Sequence, residues 1–103
     1  MGTLDRAELE AMIEKATVDA YGEDEQRIGL FTTLEEYLDL PFTITVLGVE
    51  VTVCGIDLRP DGRIVALCSR GRVQQSIGIL DLPLPSPAPE GAEWIEAYRH
   101  WAG

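Results

Sequence analysis

The sequence is 103 residues long and 46% apolar, with 18 acidic against 8 basic residues and a formal net charge of −10. That length supports one domain with a modest core. The charge excludes the basic footprint a nucleic-acid binder needs, disfavours docking on anionic lipid, and favours cationic partners.

The acidity is concentrated at the front. Residues 1–40 hold 11 acids and 3 bases, net −8, whereas residues 41–103 hold 7 acids and 5 bases, net −2. No apolar run is long enough to span a membrane, and the Met1-to-Asp5 start lacks a basic and apolar leader. A cytoplasmic location with reduced cysteines is therefore expected.

Residues 1–40 read as an acidic helical segment. Asp5 can cap a first helix, Glu8 can complete a capping box, and Leu4 can staple onto Leu9. The stripe Leu9, Met12, Ile13, Ala16 and Ala20 has helical spacing and should pack on the sheet. Tyr21-Gly22 should end the helix, with Gly22 available for a left-handed position. A second stripe, Ile28, Phe31, Leu34 and Leu38, runs to Leu40-Pro41, where proline disfavours further helix. Thr32 with Glu35, or Thr33 with Glu36, offers an internal capping box, so one helix and two short helices both fit.

Residues 42–82 alternate β-branched and polar side chains between glycine-containing turns, the period of short antiparallel strands. Arg59-Pro60-Asp61-Gly62-Arg63 suits a type I turn with a bulge. If Arg59 pairs with Arg63, Leu58 faces Ile64, Ile56 faces Ala66 and Cys54 faces Cys68, all on one buried face. The apolar phase switches to Val49, Val51 and Val53 before Gly55, which marks a bulge or bend. The expected fold class is α+β, with a small curled antiparallel sheet or SH3-like barrel.

Residues 83–89 place proline at every second position and predict a stiff, extended connector. Residues 90–101 predict a last helix with the stripe Trp94, Ile95, Tyr98 and Trp101, and with His100 able to pair with Glu96. The connector lacks the spacing of an SH3 ligand, and no internal repeat is present.

Catalytic and zinc chemistry find little footing here. There is one histidine, both cysteines are expected in the core, and no phosphate-binding loop, dinucleotide fingerprint or nucleophile elbow occurs. Non-enzymatic action follows as the expectation, and a small hydrolase is the weakest alternative. Carboxylates remain, and hard cations such as calcium take oxygen ligands. Asp57-x-Arg59-x-Asp61-Gly62 imitates half an EF-hand loop, but Arg59 stands at a ligand position and Cys68 where the bidentate Glu belongs. Two other clusters are better placed. Glu35, Glu36 and Asp39 share a helical face, and Asp19, Glu23, Asp24 and Glu25 surround the glycine break between the helices. A solvated acidic face remains the plain alternative for both.

Several stretches resemble the small calcium-binding CcbP family of cyanobacteria. They are Ala16-Thr17-Val18-Asp19-Ala20-Tyr21 leading into Glu25-Gln26, then Leu40-Pro41-Phe42 with Val46-Leu47-Gly48. Ile79-Leu80-Asp81-Leu82-Pro83-Leu84-Pro85 and the run from Pro89-Glu90-Gly91 to Ala97-Tyr98-Arg99 extend the likeness over nearly the whole chain. The resemblance implies a non-EF-hand protein that binds calcium through surface carboxylates and buffers or senses the free ion in the cytoplasm. The rival reading is an acidic interaction module that meets a basic protein partner.

Overall fold

The computed structural model describes residues 5–103. Four strands form one antiparallel sheet in the order β1-β2-β3-β4: β1 (Phe42–Val46), β2 (Val49–Leu58), β3 (Ile64–Arg70) and β4 (Val73–Gly78). β1 and β4 do not pair, so the sheet is an open meander and not a barrel.

The β2–β3 turn forms as its chemistry predicts. The Gly62 amide donates to the Arg59 carbonyl at 2.9 Å, the Arg59 amide donates to the Arg63 carbonyl at 2.8 Å, and Gly62 has φ +91°. Asp61 accepts from the Arg63 amide at 3.1 Å and from its guanidinium at 2.8 Å. That backbone hydrogen bond, with the guanidinium beside it, holds the Asp61 carboxyl below its ordinary range. Asp57 meets Arg59 at 3.2 Å. Both acids of this turn are thus satisfied by arginines of the same hairpin.

The register Leu58↔Ile64 and Ile56↔Ala66 is present, but it slips between Val53 and Gly55, and Cys68 faces Val53. Cys54 is therefore the extra residue of the bulge. It is exposed, whereas Cys68 is buried. The expected pair of buried facing cysteines is corrected accordingly: the bulge that switches the apolar phase also turns Cys54 outward, its sulfur 3.2 Å from the Ser69 hydroxyl. Burial first, then the Cys54 charge, pushes the Cys68 thiol up, which leaves little reactive thiolate there. A thiol reagent should modify Cys54 rapidly and Cys68 only on unfolding. A single labelling rate for both would contradict this placement.

Asp5 caps α1 (Arg6–Ala16) through a 2.8 Å hydrogen bond from the Glu8 amide. Leu4, the expected staple, lies outside the described residues. The helix stops at Thr17, whose hydroxyl donates to the Ile13 carbonyl at 2.7 Å, so Ala20 lies beyond it. Gly22 has an extended φ of 174° and precedes α2, so it is not the left-handed terminus expected for α1. α1 lies against the last helix, α3 (Glu93–Ala102), and against α2 rather than on the sheet.

α2 (Glu23–Tyr37) is one continuous helix. The Thr32 and Thr33 hydroxyls donate to the Ile28 and Gly29 carbonyls and leave the internal capping boxes unused. Its buried residues are Leu30 and Leu34, followed by Leu38, while Ile28 is 52% exposed. The core stripe is thus rotated from the expected one. These leucines meet Ile44, Val53, Ile56, Ile64 and Ala66 of the sheet and Trp94, Ile95 and Tyr98 of α3. Full burial of one such aliphatic side chain stabilises by about 1.5–3 kcal/mol.

A 3₁₀ turn, Ile79–Asp81, follows β4. The proline segment after it has no helix or strand and is anchored to the core through Leu82 and Leu84. α3 buries the predicted Trp94, Ile95 and Tyr98, with Trp101 partly buried. His100 is turned toward Glu10 of α1 at 3.5 Å, and Glu96 pairs with Arg99 instead.

Candidate metal centre

α2 and α3 run antiparallel, and this arrangement decides which acids meet. At one end, Trp101 donates through Nε1 to Gln26 at 2.9 Å, and the Arg27 guanidinium lies 5.2 Å from the Trp101 ring centre. At the other end, Tyr37 and Trp94 stack with centroids 5.9 Å apart. Each end of α2 carries one of the two predicted clusters.

At the amino end, Glu23, Asp24 and Glu25 occupy the first turn. Acids there are stabilised by the helix dipole. Arg27 adds contacts to Glu23 at 3.4 Å and Asp24 at 3.2 Å. Glu25 accepts from the Tyr21 amide at 3.1 Å. Asp19 and Glu25 line a shallow hollow with Val18 and Ile28, away from the Arg27 contacts. Arg27 and the helix dipole offset part of this charge, so the amino-end cluster draws a cation less strongly than acids without a basic neighbour would.

The carboxyl end is the opposite case. Glu35 and Glu36 lie in the last turns of α2, no basic residue follows them there, and Asp39 comes two positions after the helix. Acids at this end face the negative pole of the dipole and the helix's last unpaired carbonyls. They line an open cleft of about 500 Å³ together with Glu90 and Glu93. The Asp39 amide donates to the Glu90 carbonyl at 2.8 Å and ties the loop before α3 to the end of α2. Gly91, φ +89°, fits this junction because a Cβ would run into the Tyr37 carbonyl and the Leu38 backbone.

Glu90 and Glu93 were not among the residues predicted from sequence. Only the antiparallel packing of α2 and α3 brings them in, and the nearest local signal is Gly91 after the proline run. The donor set is all oxygen and all exposed, which suits a hard cation. Among the described residues, however, no three His, Cys, Asp or Glu side chains converge as they stand to hold an ion. The cleft gathers charge without preassembling a coordination shell.

No family model matches the chain, and no match is found among curated proteins. The fold is similar to the crystal structure of CcbP from Anabaena, with a TM-score of 0.75 over 99% of this chain and 95% of that one, at 20% identity. The match covers the elements from α1 to α3, and the chain has a CcbP-like fold. Among the described residues, no helix is long and apolar enough to cross a membrane.

Proposed function

We propose that this chain, with its CcbP-like fold, is a non-enzymatic calcium-binding protein, and that the ion is taken up in the cleft between the end of α2 and the start of α3. The observation that carries the reading is electrostatic. Glu35, Glu36, Asp39, Glu90 and Glu93 share one cleft at the negative pole of a helix whose last turn has no basic side chain. Crowding carboxylates there costs Coulomb energy that a divalent cation offsets. The resemblance to the calcium-binding CcbP family, together with the similar fold, supports calcium as that cation. Exposed glutamates can swing inward and water can complete the shell, which suits the larger, geometrically tolerant calcium better than magnesium. In this reading the protein buffers or senses cytosolic free calcium.

Calcium at about 100 times its Kd should stabilise the fold by roughly 2.7 kcal/mol. For a domain this size that raises the melting temperature by about 10–20 °C. Magnesium should do less. A melting curve indifferent to millimolar calcium would sink the proposal. It would favour an acidic docking face for a basic protein, which needs no converging ligands. Asp57→Asn with Asp61→Asn should leave calcium binding unchanged, because arginines of their own hairpin already satisfy both acids. A titration of that double variant checks this, and lost binding would move the ion onto the sheet.

A further inference from the structure

An apolar concavity lies on the sheet and shares no lining residue with the acidic cleft. It is a groove of about 850 Å³ between the β1–β2 and β3–β4 hairpin tips, lined by Val46, Leu47, Val49, Val51, Val73 and Ile77, with Arg70 at its edge. Leu47 is 99% exposed and Val73 66% exposed. Leu47 also has a positive φ of 51°, which a γ-branched side chain adopts at a cost. Arg70 and the neighbouring Arg72 make no ion pair among the described residues, although carboxylates outnumber basic residues 18 to 8.

The chain carries a matching surface at its opposite end. The α1–α2 loop exposes Tyr21 at 91% and Val18 at 75%, the two side chains flanked by Asp19, Glu23 and Asp24. That loop leads into the amino end of α2, where Glu23 and Arg27 line one cleft with Asp61, Gly62 and Arg63 of the β2–β3 turn. The β2–β3 turn closes the end of the sheet away from the two hairpin tips. One pole is apolar and acidic, and the other is apolar and basic.

We propose that the groove receives the Val18–Gly22 loop of a second copy of this chain, with Tyr21 and Val18 on the apolar floor and the flanking carboxylates of Asp19, Glu23 and Asp24 facing Arg70 and Arg72. Burial of exposed apolar side chains supplies the attraction, and the unpaired arginines set the orientation. Because the two surfaces differ, the contact is heterologous, and each copy can be donor and acceptor at once. The contact is small and belongs to the weak, transient class. It does not depend on calcium binding in the cleft, and its variants leave the cleft acids untouched.

Sedimentation velocity of the full chain over a concentration series tests it. The mass average should rise with concentration below about 1 mM. Leu47→Asn, which removes the groove lip and suits a positive φ, should lower self-association at least tenfold without lowering the melting temperature. Tyr21→Ser should do the same from the other surface. An equimolar mixture of the two variants should associate at least tenfold more strongly than either alone, because an intact loop then meets an intact groove. A wild-type chain that stays monomeric overturns the proposal. So does self-association that survives both variants, or a mixture that behaves as the sum of its parts.

Discussion

Gly91→Ala is expected to lower the melting temperature by at least about 12 °C. Two costs add at this position. An L-residue held at positive φ costs about 1–3 kcal/mol. The new Cβ also meets the Tyr37 carbonyl and the Leu38 Cα, backbone atoms that cannot rotate away. Relieving that overlap by shifting the helix end costs a further 1–3 kcal/mol or so. A total near 3 kcal/mol, at about 4–8 °C per kcal/mol for a small domain, gives the stated shift. Gly71 provides the control, since its φ is +60° but a Cβ there meets nothing within 4 Å. Gly71→Ala should cost only the conformational part. Thermal melts followed by circular dichroism measure both, and a Gly91→Ala shift no larger than that of Gly71→Ala would contradict the close approach of the two helix ends.

Glu36→Gln with Asp39→Asn is expected to weaken calcium binding at least tenfold, about 1.4 kcal/mol or more. The double variant removes two of the five cleft acids from the side that faces the negative helix pole. The metal-free fold should be unchanged or slightly more stable, because like-charge repulsion disappears. Neutralising Asp24 should do less, since it already faces Arg27 at 3.2 Å in the first turn of α2. Calorimetric titration of the two variants separates the ends of α2. Equal losses would mean that both clusters take part, and a loss confined to Asp24→Asn would move the site to the amino end.

What was legible in the sequence was local. Pro60 and Gly62 fix the turn, and the turn fixes the register for Leu58, Ile56 and their partners. Asp5 announces the start of α1, and the aromatic stripe of α3 packs as its spacing predicts. The structure departs from the sequence expectation where a choice belongs to a neighbour. α2 offers two overlapping apolar stripes, and its packing against sheet and α3 selects Leu30 over Ile28. The bulge had to fall near Gly55 for the apolar phase to switch. Periodicity could not say which adjacent residue would be expelled, and it is Cys54. Thr32 and Thr33 had two hydrogen-bonding options, and they take the carbonyls of the preceding turn.

The candidate site divides the same way. Spacing along the chain is enough to group Glu35, Glu36 and Asp39. Their contrast with Glu23, Asp24 and Glu25 is also written in the spacing, since Arg27 stands four residues after Glu23 and three after Asp24. It follows only once Glu23–Tyr37 forms a single helix. Glu90 and Glu93 lie far away in sequence and arrive only because α3 runs back along α2.

The central claim is that calcium enters at the α2–α3 junction. Following the backbone amide resonances of the full chain during a calcium titration tests it most directly. Saturable shifts should concentrate in residues 35–40 and 90–94, with residues 19–25 and the hairpin at 57–63 nearly still. Shifts confined to residues 19–25 or 57–63, or no saturable shift at millimolar calcium, would contradict it.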